Sequence, residues 1–135
     1  MTLKAVIFDV DGTLADLPAN CFEVIGAGEQ ATAKKPAPGI YRWVLSQLGL
    51  AGDACLAIED SKNGFCAALG AGTPVLVTES FWTGRDDFTG AMAVLPDLEG
   101  VGLAPLEQWH AQASTWPKLK NPCNSLSYRG FNWSE

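Results

Sequence analysis

K-A-V-I-F-D-V-D-G-T-L, residues 4–14, runs from a β-branched apolar stretch into two aspartates separated by one valine and followed by glycine. A short, continuous apolar run of this kind reads as a strand buried on both faces of a parallel sheet. Asp9 and Asp11 then stand at its carboxyl end. On its own D-G is a common turn pair after a strand. A second stretch changes that reading: A-C-L-A-I-E-D (54–60) has the same build and ends in Glu59 and Asp60. T-P-V-L-V-T (73–78) reads as a third strand and F-E-V-I-G (22–26) as a weaker one. M-A-V-L-P (92–96) predicts a short edge strand, where proline is tolerated.

Helices are expected between these strands. P-G-I-Y-R-W-V-L-S-Q-L-G-L carries an apolar stripe at Ile40, Trp43, Val44 and Leu48, with Gly49 as a stop. Ser61 is placed to cap a helix that runs to Leu69 and ends at Gly70 or Gly72. Residues 103–112 predict a last helix, starting near Pro105. Strands alternating with helices imply an α/β fold with a mostly parallel sheet of four to five strands. Residues 1–112 are expected to form this core. Residues 113–135 mix Ser, Asn, Pro, Lys and isolated aromatics without period, and are expected to be a poorly ordered tail.

The 135 residues suffice for one domain that buries roughly two-thirds of its unfolded surface. Net charge is −6 and the nine Lys and Arg are scattered, which argues against nucleic acid as a partner. Cys21, Cys55, Cys66 and Cys123 form no C-x-x-C pair and there is a single histidine, so a Cys/His zinc site is not expected. Cys55 and Cys66 fall in apolar segments, where thiols act as small hydrophobes. No stretch has the length or pattern of a signal peptide or membrane span. These features predict a cytoplasmic protein with reduced thiols. His110 is expected at a surface or helix end, with no role, and Gly26–Gly28 as a loop.

In open α/β sheets ligands sit at the carboxyl ends of the strands. If the first two strong strands are parallel neighbours, Asp9, Asp11, Glu59 and Asp60 converge on one small volume. Four carboxylates that close together are costly without a cation. Oxygen donors with few other ligand types suit Mg²⁺. Gly12 lets the backbone turn sharply and aim N–H groups at an anion.

The sequence resembles the haloacid dehalogenase superfamily, and within it the CbbY-like and β-phosphoglucomutase-like phosphatases. F-D-V-D-G-T-L (8–14) is similar to the first motif of that family, K-K-P-A-P-G-I-Y (34–41) to its third and I-E-D-S-K-N-G (58–64) to its fourth. The resemblance implies a three-layer Rossmann-like core and an Mg²⁺-dependent phosphatase acting on a small phosphorylated metabolite, a sugar phosphate. Asp9 would be the nucleophile that becomes an aspartyl phosphate, and Asp11 the acid and then the base. Mg²⁺ would be held by Asp9, Asp11 and Asp60, supported by Glu59. Lys35 would bridge nucleophile and phosphoryl oxygens, with Gly12 and Thr13 also facing the substrate. A carboxylate nucleophile divides one hard hydrolysis into two easier steps, and metal and lysine charges stabilise the group in transfer.

The sequence departs from the family in one region. Between Leu14 and Phe22 the family carries a helical cap domain and a strand ending in Ser or Thr, its second motif; here only A-D-L-P-A-N-C remains. Gly39 stands where the family usually has Asp. Loss of a phosphoryl-binding hydroxyl is expected to cost roughly 10²–10³ in rate, by analogy with an oxyanion donor. The missing strand leaves two outcomes for residues 22–26. They slide in beside the first strand, which strains a link of about a dozen residues, or they stay unpaired and leave that strand at an exposed edge that invites association. A monomer or weak dimer is expected. Two other functions stay open: a non-catalytic remnant that binds Mg²⁺ or a protein partner, and a phospho-accepting receiver domain. The last would need its acceptor Asp in a middle strand.

Overall fold

Alternation along two fully buried strands organises the molecule. In the computed structural model, which describes residues 2–9, 22–79, 86–113 and 123, these strands are β2 (Cys55–Glu59) and β3 (Val75–Thr78). They are flanked by β1 (Ala5–Phe8) and β4 (Ala93–Leu95), all parallel, in the order β1-β2-β3-β4. Successive side chains on a strand point to opposite faces. Ala57, Val75 and Val77 therefore meet Phe65, Cys66, Ala67 and Ala68 of α2 (Lys62–Gly70) and Tyr41 of α1 (Gly39–Leu48) on one face. Leu56, Ile58 and Leu76 meet Leu106, Trp109 and Ala113 of α3 (Leu103–Ala113) on the other. The result is the three-layer α/β arrangement the sequence predicts.

The helix ends follow local chemistry. α1 stops at Gly49, whose left-handed φ of 67° turns the chain so that the Leu50 N–H donates to the Leu45 carbonyl at 3.1 Å. α2 starts at Ser61, whose Oγ accepts from the Gly64 N–H at 3.1 Å. Among the described residues no helix is long and apolar enough to cross a membrane.

Four expectations need correction. Residues 22–26 form no strand, and no described strand lies on the far side of β1. A parallel strand needs a neighbour for its backbone groups, and the short link before Phe22 leaves no room for a crossover. The segment instead runs along α1, with Gly26 against Ile40 and Val44. The buried face of α1 is Tyr41 and Leu45; Ile40, Trp43, Val44 and Leu48 are only half-buried, on its flank. Cys66 is not a free thiol: it forms a disulfide with Cys123, fifty-seven positions away, so the reduced-thiol expectation fails for this pair. Cys123 is fully buried in the α1–α2 side of the core; the rest of the expected tail beyond Ala113 lies outside the described residues. His110 is buried rather than exposed, with Nε2 2.7 Å from the Asp53 carbonyl oxygen.

Candidate active site

The register of β1 on β2 builds the site. Phe8 lies beside Ile58, and the Asp9 N–H donates to the Ile58 carbonyl at 3.1 Å. Asp9 is thereby fixed next to Glu59 and Asp60, at the carboxyl ends of neighbouring strands. Asp11, Gly12 and Thr13 lie outside the described residues.

Lys35 arrives from the turn before α1. Its Nζ lies 2.7 Å from Glu59 Oε1 and 3.6 Å from Asp9 Oδ1, so one ammonium touches both acids. Lys34 beside it is exposed, as expected from sequence. The residue that sequence reasoning missed is Tyr41, in the first turn of α1. Its hydroxyl donates to the same Glu59 Oε1, and the Lys35 ammonium stands 5.3 Å from the centre of its ring. A buried tyrosine hydroxyl usually finds a partner, and Tyr41 stands at the end of the K-K-P-A-P-G-I-Y stretch. Those two facts were the available signal.

Glu59 is fully buried. Among the described residues its Oε1 takes two donors, whereas Oε2 has no hydrogen-bond partner. Oε2 lies against Gly64 in the first turn of α2, where a Cβ would overlap it. Burial pushes the Glu59 carboxyl up to about 7; Lys35 opposes the shift, Asp9 adds to it and the hydrogen bond from Tyr41 opposes it. Desolvation thus outweighs the salt bridge. Burial also raises Asp60, together with the charge of Asp9 and hydrogen bonding between those two side chains. The Tyr41 hydroxyl is pushed well above its ordinary value, first by burial and then by the charge of Glu59, so it stays a donor.

Asp9, Glu59 and Asp60 each offer one carboxylate oxygen, and these atoms lie within 4.8 Å of one another. Two observations fit a divalent cation here. The ligand atoms are all carboxylate oxygens, which suit hard cations, and Oε2 of Glu59 is a buried acceptor left without a donor among the described residues.

Residues 17–78 match the family model described as haloacid dehalogenase-like hydrolase, a stretch that includes Lys35, Glu59 and Asp60. Protein CbbY of Rhodobacter capsulatus is 44% identical over 92 residues, covering 68% of this chain and 40% of that protein. The chain belongs to the haloacid dehalogenase-like family. The plasmid-borne CbbY of Cupriavidus necator is 48% identical over 94 residues, 70% of this chain and 36% of that protein. CbbY from Rhodobacter sphaeroides superposes with a TM-score of 0.63 at 41% identity, over 67% of this chain and 41% of that one. It has been solved with phosphate and, as a variant, with xylulose-(1,5)bisphosphate. This haloacid dehalogenase-like chain spans about two-fifths of the length of the curated relatives it matches.

Proposed function

We propose that the chain is a phosphatase-type hydrolase that uses Mg²⁺ and acts on a small phosphorylated metabolite, a sugar phosphate. The observation that carries this reading is the cluster at the ends of β1 and β2, in which Lys35 touches both Asp9 and Glu59 beside Asp60. The phosphate and bisphosphate bound by the Rhodobacter sphaeroides relative support the substrate class.

In this reading an Asp9 carboxylate oxygen attacks phosphorus and the bond from phosphorus to the leaving alcohol oxygen breaks. Asp11 gives its proton to that oxygen. Asp11 then takes a proton from water, the resulting hydroxide attacks the aspartyl phosphate, and inorganic phosphate leaves with Asp9 restored. Lys35 faces the phosphoryl oxygens and offsets the negative charge that accumulates around Asp9. Asp9, Glu59 and Asp60, with Asp11, would hold the Mg²⁺, which supplies charge stabilisation for the group in transfer. In this reading the sequence lacks the cap domain and the second-motif hydroxyl, so the site would be open and turnover slow.

A phosphate-release screen over sugar phosphates with Mg²⁺ tests the proposal. The wild-type chain should release phosphate from at least one of them, and Asp9→Asn should not. Release that survives Asp9→Asn refutes the mechanism. Mg²⁺ binding without turnover of any phosphomonoester would leave the non-catalytic reading in its place.

A further inference from the structure

The two oxygens of Glu59 have unlike surroundings, and Tyr41 is one of the causes. Oε1 accepts from the Lys35 ammonium and the Tyr41 hydroxyl, while Oε2 accepts from no donor among the described residues. A carboxylate held by a single donor can rotate and exchange its oxygens. Two donors from different elements fix which oxygen faces where. The lysine alone is a poor anchor, because its flexible stem serves Asp9 as well, at 3.6 Å. Tyr41 acts on this partner too, since the ammonium stands over its ring. The tyrosine is itself well fixed: it is buried in the first turn of α1, among the residues packed on Ala57 and Val77 of the sheet.

We propose that Tyr41 is a positioning residue of the site, whose hydroxyl holds the Glu59 carboxylate in its orientation beside Asp9 and Asp60, where a divalent cation would bind, and whose ring keeps Lys35 near Asp9. This rests on the reading of the acidic cluster as a cation site. In this proposal Tyr41 acts through Glu59 and Lys35.

Tyr41→Phe keeps the ring and removes only the donor. Titrating Mg²⁺ into the metal-free protein by calorimetry should show affinity reduced roughly 10-fold, the usual scale for a partner that orients a ligand. Leu45→Ala, one turn along the same buried face of α1, controls for stability alone. It should lower the melting temperature and leave Mg²⁺ affinity unchanged. The proposal is overturned if Tyr41→Phe binds Mg²⁺ within about twofold of wild type, or if Leu45→Ala weakens binding as much. Should Tyr41→Phe fail to fold, the wild-type protein still decides: the Tyr41 hydroxyl proton should be protected from exchange and shift on adding Mg²⁺, and a resonance indifferent to Mg²⁺ overturns the proposal. A wild-type chain that binds no Mg²⁺ overturns both this proposal and the cation reading. Binding without phosphate release overturns the hydrolase reading alone.

Discussion

Gly64→Ala tests the packing of the site directly. In an ordinary helix this change stabilises by about 1 kcal/mol. Here the three atoms nearest to an added Cβ all belong to the Glu59 carboxylate: it would overlap Oε2 and the carboxyl carbon and lie 2.7 Å from Oε1. That carboxylate has nowhere to retreat, being fully buried and held by Lys35 and Tyr41. Overpacking costs about 1–3 kcal/mol, and each weakened hydrogen bond to a charged group up to about 1.5–3 kcal/mol. Set against the helix gain, the net loss is about 3 kcal/mol, which for a domain of this size lowers the melting temperature by roughly 10 °C. Urea denaturation followed by circular dichroism reads this as a lower midpoint at constant slope. The same change made in a Glu59→Ala background should reverse sign and stabilise by up to about 1 kcal/mol, because the obstructing carboxylate is gone. A neutral or stabilising Gly64→Ala with Glu59 in place would refute the contact between Oε2 and α2.

Two further predictions concern titration and the disulfide. The Glu59 carboxyl is raised in the folded state to about 7 from 4.5, so its contribution to metal-free stability is full below about pH 4.5 and is lost as pH rises through about 7, by about 3 kcal/mol. Mg²⁺ favours the ionised form, so melting curves with and without it should diverge more at about pH 8 than at about pH 6; equal divergence at both would contradict the buried-acid reading. Cys66–Cys123 closes a separation of fifty-seven positions, and chain entropy for such a loop gives about 4 kcal/mol. Reductant or Cys123→Ser should lower the urea midpoint accordingly, and an unchanged midpoint would show that the bridge adds no stability.

Strands and helices were legible wherever the signal was local. The apolar runs before Asp9 and Asp60, the Ser61 cap and the Gly49 stop all depend on neighbours in sequence, and each is found in place. The placement of Asp9 beside Glu59 and Asp60 was legible too, since it follows from two strands that end in acids pairing in parallel. What was not legible depends on distant partners. F-E-V-I-G has strand-like residues, but among the described residues no strand lies beside it to pair with. Tyr41 lies eighteen positions from Glu59 in sequence, so its hydroxyl gives no local sign of where it points. The disulfide and the burial of His110 against Asp53 arise in the same way, from contacts fifty-seven positions apart.

The pairing of Ala5 with Cys55 also carries a consequence for the order of assembly. β1 comes before every other described strand, yet its described partner is made only after the whole segment carrying Lys35 and α1 has been synthesised. During synthesis, Asp9 is therefore made before Glu59 and Asp60 exist to face it. It gains Glu59 and Asp60 as neighbours when β1 docks along β2. The loop that closes is long, but its entropy cost grows only with the logarithm of its length. Chains arrested on the ribosome before Glu59 emerges should thus contain the attacking acid without the site, and Mg²⁺-dependent protection of Asp9 should begin only with chains long enough to complete β2.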